Sequence, residues 1–214
     1  MPNHIYRVRA LKQPLIEGLR QERKYRRAQK AGQYEETRGK ISGMLSIEER
    51  PAEEEERTVP GHWKGDLILG KYKRSALGTL VERTIRHTIL VPMGGKKDAE
   101  IMQTAYAEAF KSVPKALKRS LNNDQGKEMS QHEKFTIDSG IQVYFAHPSS
   151  PWERGKNENS NGLVRQYFPK GTDFTQVTEE RIKEVQDLLN DRPRAVLNYY
   201  KPDEVFNKLV ALNL

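Results

Sequence analysis

Three carboxylates stand out because each sits where its local pattern argues against it. Asp66 interrupts the apolar run WKGDLILG (Trp63–Gly70), with Leu67, Ile68 and Leu69 directly after it. Aspartate is depleted in strands and is seldom buried without a partner, so it needs a reason to be there. Asp124 falls in NNDQGKE, where a strand should end, which is where open α/β sheets place functional groups. Glu158 falls in GKNENSNG, a helix-length stretch rich in Asn and Gly. Both are poor helix formers, so a helix that uses them does so for close approach or for polar contacts. The alternative for that stretch is a glycine-punctuated surface loop.

A strand, a strand end and a helix can bring three carboxylates to one site. Oxygen-only ligation with open positions suits Mg²⁺ or Mn²⁺, which also take phosphate oxygens. Two such ions about 4 Å apart serve an in-line phosphoryl displacement. Each acid also has a plainer reading. Asp124 taken alone reads better as part of the turn NDQG, and Glu158 could be surface charge. Asp66 is the hardest to dismiss. On the helix, Arg154 and Arg165 stand at −4 and +7 from Glu158, with Asn161 at +3 and Gly162 at +4. That face suits a phosphate backbone, and Arg154, Lys156, Asn161 and Arg165 are candidate DNA contacts.

The elements that must position these groups follow from periodicity. WKGDLILG, ALGTLVERT (Ala76–Thr84) and RHTILVPM (Arg86–Met93) read as a β-meander. Asp98–Val113 has a helical period, with Asp98 as N-cap and Ala99, Met102, Tyr106 and Ala109 on one stripe. Ala116–Asp124 reads as a fourth strand, EMSQHEKFTIDSG as a helix ending at Gly140, and Ile141–Ala146 as a fifth strand. The Asn-rich helix follows, then a helix over Thr178–Asn190 with Ile182, Val185 and Leu189 inward. The result is an α/β protein with a mixed five-stranded sheet flanked by helices.

Residues 1–50 read as a basic arm and linker, closed by the acidic run Glu53–Glu56, and residues 51–214 as the core with a helical tail. Of the 214 residues, 36% are hydrophobic and 31% charged, enough for one packed domain with a polar surface. Residues 1–40 hold 11 Lys/Arg against 4 Asp/Glu, and the remainder 26 against 25. The excess charge therefore sits in the arm, densest at Arg20, Arg23, Lys24, Arg26 and Arg27, as expected for a polyanion partner. A solvated helix face or a tail is the plainer reading of such a run. There is no cysteine, so disulfides, thiolate zinc sites and Cys nucleophiles are excluded. No apolar run suits a membrane span or an export signal, and the expectation is a cytoplasmic protein.

With these residues in view, the chain resembles transposases of the insertion-sequence-thirty family, within the Asp-Asp-Glu transposase and retroviral integrase group. The likeness runs from about Ile47 onward, through SIEERPAEEEERTVPGHWKGDLILG, ALGTLVERTIRHTILVPM, NDQGKEM, DSGIQVYFAHPSSPWERGKNENSNGLVRQYFPKGTDF and LNDRPRAVLNYYKPDEVF. It implies an RNase-H-like fold, with Asp66, Asp124 and Glu158 as catalytic metal ligands and Arg165 as a DNA contact. It also implies cleavage at the element's DNA ends, strand transfer into target DNA, and a homo-oligomer. The chain departs from the family at Lys64, where an acid is usual, and at Ala195 and Lys201. It is read as lacking the family's N-terminal helix-turn-helix. The alternative is therefore a truncated, non-catalytic DNA-binding remnant or transposition inhibitor. A two-carboxylate glycosidase leaves the third acid and the arm unexplained. The five histidines form no spaced metal pair, and Trp63 and Trp152 suit packing. Tyr72, with Lys71, Lys73 and Arg74, suits either DNA contact or a solvated hairpin tip.

Overall fold

The computed structural model describes residues 43–94, 98–126, 129–147 and 157–212, with the backbone alone for Glu55 and for 157–159. Arg20, Arg23, Lys24, Arg26, Arg27, Trp152, Arg154 and Lys156 lie outside the described residues. All described residues belong to the compact unit formed by 37–214.

The elements in chain order are β1 (Leu45–Ser46), α1 (Ala52–Glu56), β2 (His62–Leu69), β3 (Ala76–Glu82), β4 (Thr88–Pro92), α2 (Ala99–Lys111), β5 (Ser120–Asn123), α3 (His132–Ser139), β6 (Gln142–Phe145), α4 (Asn157–Tyr167), α5 (Glu179–Asn190) and α6 (Pro202–Leu212). The sheet runs β1-β6-β5-β2-β3-β4. The β2–β3–β4 meander is antiparallel, and β2–β5, β5–β6 and β6–β1 are parallel. The five expected strands are present, and a sixth joins them. It is the two-residue β1, within the stretch read from sequence as linker.

Side-chain alternation gives the sheet two different faces. On one face Trp63, Leu80, Leu121, Val143 and Phe145 pack with Tyr106 and Phe110 of α2 and Phe135 of α3. On the other, Ile68, Leu77 and Leu90 pack with Leu163 and Val164 of α4 and Ile182, Val185 and Leu189 of α5. Ile182, Val185 and Leu189 are the inward residues that the helical period predicts. Asp66 lies two residues before Ile68, and so shares the α4/α5 face.

Helix α5 also closes the outer margin of the sheet. Asn190 accepts from the Thr88 N–H at 2.8 Å and donates to the Thr88 carbonyl at 2.8 Å. Gln186 accepts from the Leu90 N–H at 2.9 Å. No described helix is long and apolar enough to cross a membrane.

The acidic run Glu53–Glu56 is not a linker: it forms most of α1, and Glu54 is fully buried. Glu54 receives the Ser120 hydroxyl at 2.7 Å, the Asn122 amide and the Arg83 guanidinium, with His62 Nδ1 at 3.4 Å. Burial pushes its carboxyl up. The hydrogen bonds from His62, Ser120 and Asn122, with the Arg83 charge, outweigh that and hold it down at about 2.

Candidate active site

The position of Asp66 is set by close packing beneath it. Residues 65 and 78 on β2 and β3 must be glycine because the Tyr106 ring lies against them. A Cβ on Gly78 would come within 2.6 Å of Tyr106 Cε1, and one on Gly65 would collide with Asn123. That close approach lets the Tyr106 hydroxyl reach through and donate to the Asp66 carbonyl at 3.0 Å. The Thr79 hydroxyl, across the β2–β3 ladder, lies 3.2 Å from the same carbonyl.

The half-buried Asp66 carboxylate is held at both oxygens. Oδ1 accepts from the Leu67 N–H at 2.8 Å, and Oδ2 from the Asn161 amide at 2.8 Å. Asn161 Oδ1 lies 3.4 Å from the Thr79 hydroxyl. These contacts fix the rotamer of the acid and dock α4 on the sheet.

Strand register brings in Asp124. β2 and β5 are parallel, with His62 opposite Ser120 and Lys64 opposite Asn122. The ladder ends at that pair and β5 at Asn123, so Asp124 is the first residue past the strand that runs beside the one carrying Asp66. Asp124 is half-buried, and its Oδ1 accepts from the Gly126 N–H at 3.3 Å, so the turn reading of NDQG holds. Position 158 lies on α4, three residues before Asn161. Residues three apart on a helix share a face, so this position is on the side of α4 that meets Asp66. Among the described residues no group of three His, Asp or Glu side chains is arranged for a metal.

The remaining sequence candidates separate. Asn161 reaches Asp66. Arg165 is half-buried, and its guanidinium donates to the Leu69 carbonyl at 2.6 Å and the Pro169 carbonyl at 3.3 Å. Burial pushes its pKa down. It ties the end of α4 to the end of β2. Tyr72 is exposed at the β2–β3 turn, with Lys71 and Arg74 each within 6 Å of its ring.

Sequence reasoning missed Tyr106 and Thr79 as supports of Asp66, and a group of arginines beside the acids. Arg50, Arg57, Arg83 and Arg86, with Lys64, line a pocket that Asp124 borders. The arginines come from ERPAEEEERTVPG and LVERTIR, and only the fold brings these segments together.

A family model described as the integrase core domain matches residues 56–151. The transposase for insertion sequence element IS1086 of Cupriavidus metallidurans is 42% identical over 94% of this chain and 58% of its own length. Transposase InsI for insertion sequence element IS30A of Escherichia coli is 45% identical over 78% of this chain and 43% of its own. The chain thus spans about half the length of these relatives. A crystal structure of the catalytic core domain of BIV integrase matches with a TM-score of 0.54 at 14% identity. It covers 71% of this chain and 97% of that one, and the likeness is one of fold.

Proposed function

This chain carries an integrase core and is a relative of the insertion-sequence-thirty transposases, and we propose that it is the catalytic portion of a DNA transposase. Its substrates are the DNA ends of the element and the target DNA, and its activity is phosphodiester cleavage followed by strand transfer. The observation that carries this reading is the β2–β5 register. It makes β5, which Asp124 directly follows, the parallel neighbour of the strand that carries Asp66, and this supports a shared site with Glu158 of α4.

The donor set fits divalent Mg²⁺ or Mn²⁺. Asp66 and Asp124 are half-buried hard oxygen donors, and a carboxamide steadies the first. Asp66, Asp124 and Glu158 would hold two such ions, and the chemistry these would supply is activation of the attacking oxygen and charge stabilisation at the leaving one. Asn161, Tyr106 and Thr79 keep Asp66 in position, which is the preorganisation that phosphoryl transfer requires. Arg165 braces α4 against β2 and so fixes where position 158 stands.

The reaction is two in-line displacements at phosphorus. In the first, a water oxygen bonds to phosphorus while the bond from phosphorus to the 3′ oxygen breaks. That step leaves a 5′-phosphate and a free 3′-hydroxyl. In the second, this hydroxyl bonds to a target phosphorus and displaces a target 3′ oxygen, and the hydroxyl proton passes to solvent. No protein nucleophile takes part. Cationic residues beyond the described ones, Arg154 and Lys156 in the sequence before Asn157 and Arg20, Arg23, Lys24, Arg26 and Arg27 nearer the N-terminus, would hold the DNA backbone, and the assembly would be a homo-oligomer.

The test is nicking of supercoiled plasmid by the purified chain in Mg²⁺ and in Mn²⁺, alongside Asp66→Asn, Asp124→Asn and Glu158→Gln. Metal-dependent nicking should fall to background in each variant while the melting temperature and DNA binding hold. Undiminished nicking by any variant removes that residue from the site.

A further inference from the structure

A cluster of arginines lies next to Asp124, and one of them, Arg57, is set apart from the others by its surroundings. Arg83 meets Glu54, and Arg86 feels the charge of Glu82, whose carboxylate is buried and bonded to the Gly61, Thr84 and Ile85 N–H groups. Arg57 differs. Its Nη1 is buried and has no hydrogen-bond partner. Its charge is disfavoured by burial first and then by Arg86 and Arg50. Among the described residues lining the pocket, Asp124 is the one carboxylate, set against Arg50, Arg57, Lys64, Arg83 and Arg86.

The backbone supplies a second, independent observation. Arg57 ends α1 with φ 56°, and Arg86 sits in the β3–β4 turn with φ 63°. Both are left-handed positions, where Gly or Asn is the low-strain choice. Holding a long cationic side chain there runs against local preference twice, and both side chains enter one pocket. A buried donor without a partner and two strained arginines are features expected of a site that is completed by a ligand.

We propose that this pocket is a phosphate-binding subsite, which takes a backbone phosphate of the DNA strand whose neighbouring phosphate lies at the carboxylates. The proposal deepens the reading of the chain as a transposase core and rests on it. Lys64 and Asp66 project on the same face of β2, two residues and so roughly 7 Å apart along the strand. That separation is comparable to the spacing of successive phosphates in one strand. Guanidinium groups suit the role because they bind phosphate oxygens in a planar, bidentate way and stay charged when partly buried.

Arg57→Gly tests this in the full chain, because glycine accepts the left-handed backbone; Arg57→Asn is the second variant. Three readouts are needed. Without added anion, both variants should melt at or above the wild-type temperature, since a repelled, unpartnered charge is removed. Inorganic phosphate should raise the melting temperature of the wild type and not of the variants. The slope of log affinity against log salt for a short single-stranded oligonucleotide should fall by about 0.7, the share of a single phosphate.

A lower melting temperature without anion would make Arg57 a structural residue and overturn the proposal. So would a phosphate response that persists in the variants. Loss of the phosphate response with an unchanged salt slope would mean a site for free phosphate alone, and would overturn the assignment to DNA. All three readouts are independent of nicking. Failure of the three-carboxylate site leaves them interpretable, and their failure leaves the three-carboxylate site standing.

Discussion

One face of strand β2 carries two acidic environments a few residues apart, and they differ in nearly every physical respect. At the His62 end, Glu54 is fully buried and saturated by a cation, a hydroxyl, an amide and an imidazole. At the other end, Asp66 is half-buried and takes hydrogen bonds from a peptide N–H and a carboxamide. A carboxylate whose lone pairs are all used inside the fold can only stabilise the fold. One that is held in place but still open to solvent can serve an incoming group. Burial and partners separate the two roles where residue type cannot.

The sharpest way to break this contrast is at Glu54. Glu54→Gln leaves Arg83 buried without its counter-charge, and should cost about 3–5 kcal/mol in urea unfolding at pH 7. The wild type should also weaken in acid. The folded pKa of Glu54 is depressed from 4.5 to about 2, so its contribution is present above pH 4.5. It is lost as pH falls from 4.5 towards 2, about 3 kcal/mol in all, and the variant should lack that step.

His87 sharpens the comparison as a second sealed group, on the Trp63 side of the sheet, since it stacks on Phe206 at 4.1 Å and meets Trp63 edge-on. Burial pulls its pKa from 6.5 to about 4. The unfolded chain therefore takes up a proton first, and stability falls as pH drops from 6.5 to 4, by up to about 3 kcal/mol. Asp203, 3.2 Å away and pushed up by burial, offsets part of this. His87→Phe keeps the stacking and should flatten that limb of a melting-temperature profile against pH.

The smallest effect is expected at the open end. Asn161→Leu removes the amide from Asp66 and should slow single-turnover nicking about 10–100-fold, with plasmid binding unchanged. A loss of stability with an unaltered rate would make Asn161 a mere packing residue.

The sequence revealed the site most clearly where a residue broke its own pattern. Asp66 stood out as a candidate because an acid in an apolar strand is costly, and Asp124 because it falls where a strand ends. The meander and the helix before β5 were legible from strict periods. Strand β5 begins at Ser120 rather than Ala116, because the residues after Pro114 close a short 3-10 turn first. Strand β1, with two residues, has no period to read. Glu54 was hidden inside four consecutive glutamates, of which tertiary packing selects one for burial. Tyr106 and the pocket arginines act across 40 or so residues of chain or from left-handed turns, and no local rule reports either.

The carboxamides of Asn190 and Gln186 along β4 have a consequence for how these molecules behave in a crowd. An edge strand with free outward amides is a template for another chain, and exposed templates are where fibrils and swapped dimers begin. Here two side chains of α5 imitate the missing strand, occupying Thr88 on both its N–H and its carbonyl and Leu90 on its N–H. The margin of the sheet is thereby closed to a foreign strand. Along this margin the fold keeps one copy of the chain from pairing with the next.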